Sequence, residues 1–190
     1  RTYAGKAVHL SFWRRAAFMG CGFGYGPRRT PEKPQKRLTK MNLPVGVILA
    51  GGQATRMGGG DKGRLMLGQH SLLDHVIDRL RPQVSSIILN ANGAQDRFSD
   101  LNLPVIADSL PGYAGPLAGV LAGLDWAYAN GLDHVVSVAA DTPFFPKGLV
   151  QSFLATAVGM ETPLVLAATI GTAGKIWRQP TFGLWPVVLR

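Results

Sequence analysis

LPVGVILAGGQATRMGGGDKGRL, residues 43–65, joins a nearly unbroken apolar run to a segment crowded with glycine and charge. The run over 43–51 suits a strand covered on both faces, because a strand with one wet face would alternate apolar and polar residues. Beyond it, residues 49–65 hold six glycines, two arginines, one lysine and one aspartate with no hydrophobic periodicity. A strand therefore ends at residue 51, and a pliable cationic turn follows it.

Working outward, residues 71–80 read as a helix. Leu72, Leu73, Val76, Ile77 and Leu80 share one face, Ser71-Leu72-Leu73-Asp74 has the form of a capping box, and Pro82 marks the end. Residues 86–92 and 103–108 are two further short buried strands. Pro116, a favoured first-turn residue, opens a second helix that carries Leu117, Val120, Leu121 and Leu124 to a stop at Gly131. Residues 134–141 make the next strand, Pro146 starts another helix with Leu149, Val150, Phe153 and Leu154 inward, and residues 163–170 are again strand-like. Apolar strands alternating with helices indicate the α/β class: a Rossmann-like three-layer sandwich with a mostly parallel sheet. Ligands of such sheets collect at the carboxyl ends of the strands. There the strands deliver Gly51 and Gly52, then Asn90 and Asn92, then Asp108, then Asp141.

The net charge of +9 would suggest a nucleic-acid partner if it belonged to the folded body. Residues 1–40 hold ten Lys/Arg against Glu32 alone, whereas residues 41–190 hold ten basic and ten acidic residues. Residues 1–40 are expected to be a disordered basic tail, read as translated upstream sequence or a non-native addition, with an Arg-rich organellar presequence as the alternative, ahead of a domain over 41–190. The balanced domain gives no reason for a nucleic-acid partner. Arg14 and Arg15 interrupt the only candidate signal-peptide core, and no run approaches the roughly 18 apolar residues of a membrane helix. The sole cysteine, Cys21, lies in the tail, so the domain has no disulfide, thiolate metal site or cysteine nucleophile. A cytoplasmic protein is expected, as a monomer and without a membrane partner.

The glycine loop is no Walker A motif, because Lys62 follows Asp61 and precedes Gly63 instead of standing between glycine and a hydroxyl residue. Nor does Gly51, Gly52, Gly58, Gly59, Gly60 supply the Gly-x-Gly-x-x-Gly of a dinucleotide fold. Two readings remain: an anion cradle with Arg56 and Lys62 as its charges, or a mobile surface loop with solvated charges. Asp108 and Asp141 are each either site carboxylates or caps of the following turns. His75 and His134 are read as surface or core residues, and Trp177, Phe182 and Trp185 as parts of a packed final strand rather than a pocket border.

Leu49-Ala50-Gly51-Gly52, Arg56-Met57-Gly58-Gly59 and Asp61-Lys62 closely resemble the signature of molybdenum cofactor guanylyltransferases, within the wider nucleotidyltransferase group. His75-Val76, Arg79-Leu80 with Pro82-Gln83, Asn90-Ala91-Asn92, Asp108 followed by Gly115-Pro116-Leu117-Ala118-Gly119, and Asp141-Thr142-Pro143-Phe144 follow in the family's order. The resemblance implies transfer of GMP from GTP to molybdopterin with release of pyrophosphate. It implies that Leu49, Ala50 and Gly51 contact GTP, Lys62 binds its phosphates, Asn90 and Asp108 help hold the nucleoside, and Asp141 binds Mg²⁺. Arg56, Gly52, Gly58 and Gly59 would shape the phosphate pocket, and Gly115 and Gly119 belong to the family's second loop. Rivals of the same start are a cytidylyltransferase, a sugar or terpenoid nucleotidyltransferase, and a nucleotide-binding module without catalysis. Two departures stand out: Gln179 replaces a histidine before Pro180-Thr181, and the family's later Asn-x-Asn stretch is missing. The sequence is accordingly expected to be truncated at its carboxyl end. The whole reading requires Lys62 and Asp141 to share one rim of the sheet.

Overall fold

The computed structural model describes residues 16–20, 43–51, 61–110, 115–171 and 174–190. Its strands are β1 (Ala16–Gly20), β2 (Val45–Leu49), β3 (Met66–Leu67), β4 (His70–Ser71), β5 (Ile87–Asn90), β6 (Val105–Ile106), β7 (His134–Ala139), β8 (Val165–Ile170) and β9 (Ile176–Pro186). Its helices are α1 (Leu72–Leu80), α2 (Pro116–Ala129) and α3 (Leu149–Ala157). One seven-stranded sheet runs β1-β8-β9-β7-β2-β5-β6, and β3 and β4 form a separate hairpin. β7, β2, β5 and β6 pair in parallel. β9 runs antiparallel to both β7 and β8, and β1 antiparallel to β8. β1, β3 and β4 aside, the expected strand and helix order holds with trimmed ends.

The expected double cover of the sheet is present, and β2 carries it. Val45 and Val47 face one apolar cluster with Val120, Leu124 and Ala127 of α2, while Ile48 faces another with α1 and α3. Both sides of a central strand must be apolar when both are covered, which is why its sequence reads as a run. α1 forms where it was expected: the Ser71 hydroxyl accepts from the Asp74 amide at 3.1 Å and the Asp74 carboxylate from the Ser71 amide at 2.9 Å. The Ser71 hydroxyl also donates to Asp74 Oδ2 at 2.7 Å, and this bond, ahead of the one from the Ser71 amide, holds the Asp74 carboxyl below its usual range. α1 then buries Leu73, Val76, Ile77 and Leu80, each contributing about 1.5–3 kcal/mol by removal from water. Both covering helices lie close to β2. A β-carbon on Gly46 would stand 2.8 Å from the Leu80 side chain, and one on Gly123 would stand 2.6 Å from Val47.

Two expectations need correction. Ala16–Gly20, within the stretch read as unpaired tail, pairs along the edge of β8. α3 starts at Leu149, not at Pro146: the Leu149 amide bonds the Pro146 carbonyl at 3.1 Å, closing a tight turn before the helix. Gln83 then supplies what the helix start lacks, its Oε1 accepting from the Val150 amide at 3.2 Å while its Nε2 donates to the Arg79 carbonyl. Within the mostly parallel sheet, for whose last strand no direction was expected, β9 runs antiparallel because a hairpin joins β8 to β9 and so reverses the chain. Among the described residues no helix is long and apolar enough to cross a membrane.

Candidate active site

At the carboxyl ends of β2, β5 and β7 lies a cavity of about 340 Å³. Leu49, Ala50, Gly51, Lys62, Asn90, Asp108 and Asp141 all line it. The rim shared by Lys62 and Asp141, on which the sequence reading depends, is therefore present. Of the other expected residues, Gly115 and Gly119 also line the cavity. Arg56, Gly52, Gly58 and Gly59 lie outside the described residues.

One end of the cavity is a finished hydrogen-bond network. Asn90, 2% exposed at the end of β5, donates through Nδ2 to Asp108 Oδ1 at 2.9 Å. Asn92 Nδ2 donates to Asp108 Oδ2 at 2.7 Å, and the Asp108 amide donates back to Asn92 Oδ1 at 2.9 Å. Each carboxylate oxygen thus has one amide partner and keeps acceptor capacity for another. Two glycines make this possible by close approach. A β-carbon on Gly119 would lie 2.1 Å from Asn90 Oδ1, and one on Gly51 3.3 Å from the same atom. Asn92, named in the sequence only as a strand-end residue, proves to be half of the clamp on Asp108.

The other end holds exposed charges. Lys62 opens a 3-10 turn, Lys62–Arg64, after which the Leu65 amide bonds the Lys62 carbonyl at 3.2 Å. The turn is anchored behind by Arg64, which donates to Asp100 Oδ2 at 2.8 Å and to the Arg97 carbonyl at 2.7 Å. The Asp100 contact holds the Arg64 guanidinium above its usual pKa and the Asp100 carboxyl below its own. Asp141 follows β7 and is exposed, its Oδ1 accepting from the Thr142 hydroxyl at 3.2 Å. Arg79 on α1 supports that turn by donating to the Phe145 carbonyl at 3.0 Å. Three carboxylates therefore face the cavity: Asp61 paired with Arg97, Asp108 clamped by amides, and Asp141 met only by its neighbour's hydroxyl among the described residues. No cluster of three or more His, Cys, Asp and Glu suited to a metal occurs among the described residues.

Sequence reasoning missed Phe98 and Thr181 as lining residues. Phe98, 1% exposed, sits in a 3-10 segment, Gln95–Leu101, that has no periodic signature. Thr181 arrives through an irregularity: Leu166 pairs with Gly183 but Ala167 with Gln179, so β9 bulges between them. Bulges re-aim side chains beside sites. Gln179, at the position where the family pattern has histidine, instead donates to Thr169 Oγ1 at 3.2 Å across the hairpin. His75 and His134 do not line the cavity: His75 Nε2 lies 3.0 Å from the Leu67 carbonyl, and His134, its pKa lowered by burial, stands at the opposite end of β7. Phe182 is buried against Phe145, and Trp185 Nε1 donates to Ser137 Oγ at 2.8 Å, as a packed final strand requires. Trp177 is exposed beneath Lys175, whose Nζ lies 4.3 Å from the ring.

The family described as "MobA-like NTP transferase domain" matches residues 46–187. A protein named molybdenum cofactor guanylyltransferase from Bradyrhizobium sp. (strain ORS 278) is 48% identical over 147 residues, covering 76% of this chain and 67% of the relative. One of the same name from Mesorhizobium japonicum is 47% identical, covering 77% and 68%. Among solved structures, the molybdopterin-guanine dinucleotide biosynthesis protein A from Archaeoglobus fulgidus superposes with a TM-score of 0.52 at 20% identity, over 76% of this chain and 68% of that one. That likeness speaks to fold alone. The chain spans about two thirds of the length of the curated relatives it matches.

Proposed function

Because this chain belongs to the family of MobA-like NTP transferase domains, we propose that it transfers GMP from GTP to molybdopterin, releasing pyrophosphate and forming the guanine dinucleotide form of the molybdenum cofactor. The names of its curated relatives support guanine and the pterin acceptor. The observation that carries the reading is the meeting of Lys62, the Asn90–Asp108 pair and Asp141 on one cavity at the strand ends. A nucleoside triphosphate has two chemically distinct ends, and this cavity has a matching pair.

In the transfer, a phosphate oxygen of the acceptor bonds to the α-phosphorus as the bond from that phosphorus to the bridging oxygen of pyrophosphate breaks. Negative charge grows on the departing pyrophosphate, and Lys62 supplies a cation for it. Asp108, with one acceptor site open on each oxygen, is suited to guanine N–H groups or ribose hydroxyls. Gly51, bare of a side chain beside Asn90, leaves room at the strand end for the nucleotide to approach. Asp141 is the carboxylate best suited to magnesium, a hard ion that keeps several waters and needs few protein oxygens. When bound, that ion would neutralise phosphate charge. We also propose that the protein works as a monomer in the cytoplasm, a setting supported by a cysteine-free domain.

A melting titration tests the nucleotide. GTP is expected to raise Tm and CTP and ATP to leave it unchanged, since a ligand that binds only the native form stabilises it. A rise with CTP and none with GTP would replace the assignment.

A further inference from the structure

Arg97 stands outside the cavity, yet its guanidinium touches three things that build it. Nε lies 3.3 Å from Asp61 Oδ2, beside Lys62 in the chain. NH2 donates at 2.6 Å to the carbonyl of Asn92, whose side chain clamps Asp108. Its carbon Cζ lies 4.8 Å from the centre of the Phe98 ring, itself a cavity wall. From that same ring Arg64 is 5.2 Å away, bonded to the Arg97 carbonyl and to Asp100. Arg97 thus spans the loops that leave two adjacent strands, β2 and β5.

We propose that Arg97 is a positioning residue, a two-armed strut that sets the Lys62 turn against the Asn92–Asp108 clamp and so fixes the spacing between the phosphate end and the nucleoside end of the cavity. This rests on the reading of the cavity as a nucleoside triphosphate site. An ion pair this exposed adds little to global stability. Geometry is what it supplies: the planar fork reaches a carboxylate and a carbonyl in fixed directions, which a lysine ammonium on a flexible stem does not. The strut matters most for a ligand that must reach both ends at once. GTP is such a ligand and guanosine is not.

Two arms test it on the full chain. In the first, hydrogen exchange is followed at the amides of Arg64 and Leu65, which bond the carbonyls of Asp61 and Lys62. Arg97→Ala is expected to speed their exchange about tenfold, the loss of one charge-assisted bond, while β2 and β5 amides keep their protection. In the second, Arg97→Ala is expected to weaken GTP about tenfold and guanosine far less. Arg97→Lys is expected to fail as a rescue in both arms. Asp61→Asn acts on the same path, so adding it to Arg97→Ala is expected to cost little more than either alone. Unchanged exchange at Arg64 and Leu65, full rescue by lysine, additive losses, or equal weakening of guanosine and GTP would each overturn the strut. A parent protein that binds neither GTP nor CTP overturns the functional reading instead, and the exchange arm still decides the strut.

Discussion

At the β5–β6 end of the cavity, Asp108 has both oxygens engaged by the amides of a buried Asn90 and a half-buried Asn92. At the β2–β7 end, Lys62 and Asp141 are exposed, and only a neighbouring hydroxyl meets Asp141 among the described residues. The first end is complete before any ligand arrives. Its hydrogen bonds fix directions, so little must be reorganised on binding, and that suits recognition of a base and sugar. The second end leaves its charges in water, where they cost little desolvation and are free for a ligand of opposite charge. On the proposed function, recognition would be built in, and charge neutralisation would wait for the triphosphate and metal. The contrast separates two kinds of mutational effect, on turnover and on folding.

Asp141→Asn carries the largest expected effect. It should lower magnesium-dependent pyrophosphate release by at least about a hundredfold while leaving Tm unchanged. Normal release would remove Asp141 from the charged end. Lys62→Ala comes next, with kcat/KM for GTP expected to fall about tenfold to a hundredfold, mostly in kcat, and with Tm again unmoved. A loss confined to KM would mean that the lysine binds ground state and transition state alike. At the finished end, Asp108→Ala should act on both readouts. It orphans the amides of Asn90 and Asn92, so denaturant unfolding should reveal a loss of about 1–3 kcal/mol, with weaker GTP binding beside it. Undiminished stability would argue that the clamp is not preformed.

The smallest effect lies away from the cavity. Ser71→Ala removes the cap of α1 and should cost about 1 kcal/mol. Because the Ser71 bonds lower the Asp74 carboxyl in the folded state, their stabilisation is full above the unfolded pKa and disappears as pH falls through the lowered folded one. The stability gap between parent and variant should therefore shrink in acid. A gap that stays constant down to low pH would show that the ionised Asp74 adds nothing to the cap.

The same contrast explains what could be read beforehand. Lys62, Asn90, Asp108 and Asp141 sit at strand ends or in the loop beside one, and the short apolar runs announced those ends. Ser71 and Asp74 follow a local rule of spacing, so the cap was legible from four residues. Thr181 was not, because its entry depends on the register of β9 against β8, a pairing between distant segments that leaves no local trace. Phe98 and Arg97 lie in a 3-10 segment whose path is set by contacts with Asp61 and Asn92 and by no hydrophobic period. The direction of β9 likewise depends on a hairpin, and apolar runs alone assign it none. Pro146 misled for a related reason: its fixed backbone angle suits a tight turn as well as a first helical turn.

The most direct test of the two-ended cavity is a crystal structure of the chain with magnesium and a non-hydrolysable GTP analogue. The account predicts guanosine against Asn90 and Asp108, with Lys62 Nζ within about 3 Å of a phosphate oxygen. A triphosphate lying against Asp108, or a nucleotide bound away from Lys62 and Asp141, would contradict it.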